Sequence, residues 1–459
     1  MIKKACFGLI ASITGFSSLV YANTGSTNKD QPFNILIITC HDLGQHLGCY
    51  GIPTVNSPNI DKLAANGVMF KNFCSTSAVC SPGRASLFTG RYPQSNGMMG
   101  LLHAPWWWGM NEGEVHMAQL LKEKGYETTL IGFTHVGEPH ELGFEKHLSV
   151  KRNAEESVSE AINFFLGKEN KGKPFFVKVG FTEVHSPYKN GPDSLKGVFI
   201  PGYLQNTKEI RQELIKFQGS IKYLDQCIGR ILEAVQDSKV RDNTIVIFTS
   251  DHGIGFPGAK WTARKAGLEV PFIIYQPNSI FSGGKVFSEP MSNVDVLPTL
   301  LNYMNFEIPS NIEGVSFKSF IAGETLNPPR QVVFGQYTAD MKRDNESRTV
   351  INNKYQLIWY FCAGRTVDFP LDADPEKFAQ HIIREKTTGT RPFYELFDLE
   401  NDPWAIHNLG ESEDNKEIIR NLSTELLDWM KSVDDPLLRG PVATPYYEKS
   451  MEDLMNITK

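Results

Sequence analysis

Apolar residues fall along the chain in two alternating rhythms. Unbroken apolar runs at Asn34–Cys40 (NILIITC), Phe175–Phe181 and Thr244–Ser250 predict strands buried on both faces, and Glu127–Phe133 and Pro271–Tyr275 read the same way. Between them, three- and four-residue spacing of apolar positions predicts helices over 57–66, 117–124, 157–166, 208–236 and 294–302. Ser57 at the N-cap, Pro58 at the first helical position and Gly67 just beyond the end punctuate the first of these. The alternation predicts an α/β fold with a largely parallel central sheet flanked by helices. Near residue 340 the rhythm changes. Val350–Phe361 predicts a strand pair turning at Asn352-Asn353, Pro392–Asp398 a further strand, and Asn415–Val433 an amphipathic helix. The expected organisation is an α/β domain over 23–340 and a smaller C-terminal α+β subdomain over 341–459.

The first 22 residues are not expected to belong to the fold. Lys3 and Lys4 precede an apolar stretch from Ala5 to Val20, and Val20-Tyr21-Ala22 places small residues at −3 and −1 of a cleavage site. This is the pattern of a secretory signal peptide, which predicts export to the periplasm or the medium. No later run reaches the roughly 18 apolar residues of a membrane span, so no stable membrane association is expected.

Composition narrows the classes. The 459 residues carry 46 Lys+Arg and 52 Asp+Glu, a net charge of 46 − 52 = −6. That balance argues against a nucleic-acid partner; it does not exclude an anionic substrate bound by a few local cations. Six cysteines follow the signal segment (Cys40, Cys49, Cys74, Cys80, Cys227 and Cys362) and could pair in several ways. A chain of this size needs no covalent staples, so buried free thiols are expected at Cys40 and Cys227.

Doubly wound sheets bind ligands just beyond the carboxyl ends of their strands. His41-Asp42 follows the first strand, His135 the second, His185 the third and Asp251-His252 the fourth, with Lys260 a little beyond. Any one of these could be a solvated loop residue; their coincidence at four strand ends suggests a site. Between the first two of these strands runs Cys80-Ser81-Pro82-Gly83-Arg84-Ala85-Ser86-Leu87-Phe88-Thr89-Gly90-Arg91, where Pro82 suits a first helical turn and Gly90 an end. Cys80 would then sit at a helix N-terminus, which favours negative charge, one turn from the cation Arg84. The residues alone leave two readings open: a nucleophile or modified residue facing an anionic group, or a structural cysteine beside a capped helix.

This stretch resembles the signature of the formylglycine-dependent (type I) sulfatase family, Cys-x-Pro-x-Arg followed by Thr-Gly-Arg. The resemblance continues through 34–44, Ser57–Phe70 (SPNIDKLAANGVMF), 174–187, 249–253 and Tyr394–Leu409 (YELFDLENDPWAIHNL). Within the family, Asn96–Leu101, His135-Val136-Gly137 and Phe248–Pro257 (FTSDHGIGFP) are most similar to the sulfamidase branch. The resemblance implies an alkaline-phosphatase-like sandwich and hydrolysis of a sulfate ester or sulfamate from a sulfated sugar, with N-sulfoglucosamine of a heparin- or heparan-type fragment favoured. It leaves open an O-sulfatase on another glycan and a non-catalytic glycan-binding protein.

It further implies that a sulfatase-maturing enzyme oxidises Cys80 to formylglycine, whose hydrate attacks sulfur and afterwards releases sulfate. Asp42 and Asp251 match metal carboxylates for a divalent ion, expected to be Ca2+, with Cys80 beside it and His41 and His252 as ligands or as groups behind the ligands. Arg84 would steady the residue-80 oxygen, His135 act as base, and His185 and Lys260 bind sulfate and protonate the leaving group. The chain departs from the family pattern at His41, where an acid is usual, and at Phe133, where a lysine is common; Arg264 or Lys265 could supply that charge, though a solvated loop is the simpler reading for both. It also departs at Gly83, and Lys260 stands where the sulfamidase branch has Arg. His103 and Trp106, in the run ending at Trp108, would border the pocket, the rings either stacking on a sugar or packing a lid or core. Asp295 is expected to cap a helix rather than act in catalysis.

Overall fold

The computed structural model describes residues 32–151, 153–168, 172–338, 346–362 and 392–457. The expected signal segment and His381 lie outside the described residues. From Phe33 onward the chain forms one compact unit. Its strands are β1 (Asn34–Cys40), β2 (Val68–Phe70), β3 (Phe73–Cys74), β4 (Glu127–Gly132), β5 (Lys146–Leu148), β6 (Phe175–Gly180), β7 (Thr244–Ser250), β8 (Phe272–Tyr275), β9 (Lys285–Phe287), β10 (Met291–Ser292), β11 (Val333–Tyr337), β12 (Ser347–Ile351), β13 (Tyr355–Tyr360) and β14 (Tyr394–Asp398).

An eight-stranded sheet has the order β5-β4-β6-β1-β7-β8-β2-β9. It is parallel except at β8, which runs against both β7 and β2. The alternation of side chains along β1 explains why its apolar run is unbroken. Leu36, Ile38 and Cys40 face one core layer with the helices Pro58–Asn66, Ala154–Leu166 and Lys208–Asp237. Ile35 and Ile37 face the opposite layer, with Cys80–Thr89, Met117–Glu123 and Val296–Tyr303.

Register places the site. Cys40 of β1 pairs with Ser250 of β7, Thr39 with Gly180 of β6, and Gly180 in turn with Gly132 of β4. Four strands therefore end side by side, and the residues that follow them leave the sheet along one edge.

Local chemistry adjusts several expected boundaries. The helix expected from residue 157 begins at Ala154, because the Asn153 side chain accepts from the Glu156 N–H. Ser57 precedes the first helix but does not cap it: its hydroxyl donates to Asp61 (3.1 Å). The N–H groups of Asn59 and Ile60 in the first turn instead bond Asp225 of the long helix, at 3.0 and 2.9 Å, joining two helices through one carboxylate. Asp295 is not itself the capping residue: Ser292 caps, Asp295 closes the reciprocal pair by accepting from the Ser292 N–H (2.8 Å), and Asp295 also holds Arg330 at 2.6 Å.

A four-stranded antiparallel sheet, β11-β12-β13-β14, forms the second layer system, with Leu422, Leu426 and Trp429 of the helix Lys416–Ser432 packed on it. Its first strand, Val333–Tyr337, precedes residue 341, where the change of rhythm placed the subdomain boundary. Cys40, Cys49, Cys74, Cys80 and Cys227 carry free thiols. Among the described residues no helix is long and apolar enough to cross a membrane.

Candidate active site

The helix Cys80–Thr89 aims its N-terminus at the aligned strand ends. Gly90 ends it in the left-handed conformation (φ +68°) with its N–H on Ser86 O, and all ten helical residues are buried. Gly83 explains how the helix comes so close. A Cβ there would lie 2.6 Å from both Asp251 O and Ser75 Oγ, so only glycine lets the first turn pack on the end of β7.

Cys80 is 4% exposed, and its Sγ lies 3.3 Å from His252 Nε2. Burial pushes the thiol well above its ordinary range, with Asp251 and Asp42 adding to the effect and Lys260 and Arg84 opposing it. An unmodified Cys80 is therefore a poor thiolate, despite its place at a helix N-terminus.

Arg84 is fully buried. Its Nε and Nη2 donate to Asp251 Oδ2 at 3.2 and 3.0 Å, and its remaining donors reach Cys40 O and Thr39 Oγ1. Asp251 also receives the N–H groups of Asp42 and His252, both at 3.0 Å, and faces His41 Nδ1 at 3.0 Å. Burial opposes ionisation of Asp251, but His252, His41 and Arg84 hold it well below the usual carboxylate range.

Asp42 occupies a left-handed backbone position (φ +50°), where the chain turns sharply after β1. Its Oδ2 accepts from Lys260 Nζ at 2.8 Å, and its Oδ1 lies 3.2 Å from His252 Nε2. Against the burial penalty, Lys260, His252 and His185 keep this carboxylate ionised far below its ordinary range. Lys260 Nζ is also 3.2 Å from His185 Nε2. Each of these contacts joins residues far apart in sequence, and parallel register makes them neighbours.

His135 stands beside this network, its ring 5.9 Å from that of His41 and 4.9 Å from that of Phe133. Burial, reinforced by His41, Arg84 and His103, depresses it to about 2. The imidazole is thus neutral at ordinary pH, and its Nδ1 is buried without a hydrogen-bond partner. His103 lies flat against it, with ring centroids 5.3 Å apart.

All the strand-end candidates therefore converge with Cys80 and Arg84, and His103 and Trp106 border them. Trp106 meets His103 edge-on at 5.0 Å and packs against the cluster that holds Cys80. Arg264 and Lys265 do not lie in solvated loops. Arg264 is buried and donates to Ala405 O and Glu395, tying the main sheet's loops to the smaller sheet, and Lys265 pairs with Glu269.

One residue escaped the sequence reading. Lys178, fully buried in β6, donates to Phe133 O from the neighbouring strand. Burial drives it well below its ordinary range, with nearby Arg84 adding to the effect. A lone lysine inside the apolar run FFVKVGF was the available signal.

Residues 33–306 match the sulfatase family, and residues 260–392 match the C-terminal region of N-sulphoglucosamine sulphohydrolase. The chain belongs to the sulfatase family. It is 28% identical to an ulvan-active sulfatase of Formosa agariphila over 87% of this chain and 80% of the relative. It is 25% identical to the human N-sulphoglucosamine sulphohydrolase over 90% of this chain and 93% of the relative. The fold is shared with a protein solved in complex with its substrate D-glucosamine-2-N,6-O-disulfate (TM-score 0.67, 19% identity, 88% of this chain and 99% of that one). The protein is a sulfatase, a hydrolase of sulfuric ester or sulfamate bonds.

Proposed function

We propose that this sulfatase removes sulfate from a sulfated sugar, with N-sulfoglucosamine of a heparin- or heparan-type fragment as its favoured substrate. The observation that carries the reading is the convergence of Cys80 with two ionised carboxylates, Lys260 and four histidines at four aligned strand ends. The N-sulfate preference is supported by the match of residues 260–392.

The donor set fits a divalent cation. One donor atom each from His41, Asp42, Cys80 and Asp251 lie within 4.8 Å of one another, and Asp42 Oδ1 is buried without accepting a hydrogen bond. Such an ion would polarise a sulfate oxygen and favour an ionised nucleophile at residue 80. Ca2+ is the family expectation, but calcium takes about six to eight oxygens. Two carboxylates supply only part of that shell, and the imidazole of His41 also suits a transition metal. His252, which touches Cys80 and Asp42 with the same Nε2, is proposed to stand behind the ligands.

Formylglycine at residue 80, installed by a maturing enzyme, would supply a hydrated aldehyde as an oxygen nucleophile with a built-in route of release. The chain's own residues then divide the remaining work. Arg84 fixes Asp251 through two hydrogen bonds and leaves no freedom in the helix start. Lys260 presents a cation to the anionic group while held by Asp42. His185, in contact with Lys260, is placed to pass a proton to the departing oxygen or nitrogen. His135, kept neutral, can accept a proton from the residue-80 hydroxyl.

The relative active on ulvan favours a second reading, an O-sulfatase on another glycan. Sulfate release from disaccharides that differ only in the position of one sulfate separates the two. Preferred release from N-sulfated glucosamine is expected; release only from O-sulfated sugars would overturn the substrate. No release by protein already converted at Cys80 would favour the glycan-binding reading.

A further inference from the structure

His135, His103 and Trp106 are joined by ring contacts at the border of the site. Trp106 is half-buried against His103, and Trp108 is 6% exposed in the core layer beneath. Trp107, between them, is turned the other way: its backbone is left-handed (φ +50°) and its side chain is 42% exposed. A bulky residue seldom adopts that conformation, and it persists here because both neighbouring indoles are anchored inward.

Trp107 does not stand alone. Its indole stacks on Tyr446 with centroids 5.8 Å apart and an interplanar angle of 5°. Lys449 Nζ lies 5.1 Å from the same indole. Both partners come from the first turns of the helix Pro445–Ile457, and Tyr446 keeps 52% of its surface in solvent. This helix lies beyond the residues that match either family region. Flat apolar rings beside an ammonium group have the chemistry to bind a pyranose that carries a negative charge: the C–H face stacks on the ring, and the sulfate or carboxylate meets the cation.

We propose that Trp107, Tyr446 and Lys449 form a second sugar site, which holds an anionic sugar next to the one that loses sulfate. The proposal rests on the reading of the protein as a glycan sulfatase and adds that its substrate is an oligosaccharide. Trp107 follows Trp106 directly in the chain, and Trp106 meets His103, which stacks on His135 of the catalytic cluster.

The test uses full-length matured enzyme and two lengths, monosaccharide and tetrasaccharide, of whichever glycan releases sulfate in the disaccharide panel. Tyr446→Ala and Lys449→Ala are each expected to lower the tetrasaccharide-to-monosaccharide ratio of kcat/KM about threefold to tenfold, through KM. A ratio equal to that of the parent enzyme in both variants overturns the proposal. If no sugar in the panel is desulfated, the substrate reading fails on its own, and calorimetry on Cys80→Ala protein with a heparin tetrasaccharide decides this site. Binding weakened by Lys449→Ala supports it; equal binding with and without Lys449 overturns it.

Discussion

Replacing Lys260 by methionine keeps most of the length of the side chain and removes its charge. Lys260 is 2% exposed and holds Asp42 Oδ2 at 2.8 Å and His185 Nε2 at 3.2 Å. Breaking a buried ion pair on one side costs about 3–5 kcal/mol, because the other charge stays buried. His252 Nε2, 3.2 Å from Asp42 Oδ1, can offset part of this, so the lower end of that range is expected. For a domain this large, about 3 kcal/mol corresponds to a fall in Tm of roughly 3–4 °C. The catalytic effect is separate. Loss of one preorganised donor aimed at transition-state charge typically costs about 100-fold to 1,000-fold in kcat. Without Lys260 the Asp42 pKa rises, so the acid limb of the activity profile moves to higher pH. Kinetics of sulfate release and thermal unfolding, measured together, give all three effects. Lys260→Arg, which keeps the cation, is expected to retain most of kcat. A Lys260→Met enzyme with kcat within about threefold of the parent, and only KM raised, would refute the assignment.

Three further outcomes follow from the same geometry. Gly83→Ala puts a Cβ 2.6 Å from Asp251 O, and a clash of that kind typically costs about 1–3 kcal/mol. It should lower Tm and reduce kcat by displacing Cys80 and Arg84 together; parent-like values of both would show that the helix start is not closely packed. His46 is buried between Phe199 and Phe217, and burial depresses it to about 3. Its stabilising contribution is complete above about pH 6.5 and is lost as pH falls toward 3, at up to about 1.4 kcal/mol per pH unit. His46→Phe should therefore flatten the fall of stability below pH 6, and an unchanged slope would contradict a neutral buried imidazole. Chelation of the matured enzyme should lower both activity and Tm, and readdition of divalent ions one at a time identifies the ion; indifference to chelation would remove the metal from the account.

Much of the main sheet was legible because its central strands are buried on both faces. In β1 and β7 polar residues are confined to the ends, and in β6 Lys178 alone interrupts the apolar run, so these runs mark both the strands and the places where chemistry begins. The strand-end histidines and aspartates could be read as one site because parallel register aligns the strand ends. The two- and three-residue strands β2, β3 and β9 carry no periodicity of their own and exist through pairing with distant segments. The helix Pro445–Ile457 escaped notice because its exposed face mixes Tyr446, Tyr447, Leu454 and Met455 with charges, which blurs an amphipathic pattern. Three features of the site depend on distance alone: the space that Gly83 leaves for Asp251, the reach of Lys178 to Phe133, and the stacking of His103 on His135. Phe133 also gains a structural meaning: Arg84 lies 5.5 Å from its ring centroid, and Lys178 meets its carbonyl from β6.

The proposed chemistry depends on what residue 80 becomes. Mass spectrometry of the peptide spanning Cys80, from protein made together with a sulfatase-maturing enzyme and assayed in parallel for sulfate release, addresses this directly. The expected result is a loss of about 18 Da, from –CH2SH to –CHO before hydration, in proportion to activity, with Cys80→Ala folded and inactive. Full activity in protein that keeps the thiol, or in Cys80→Ala, would contradict it.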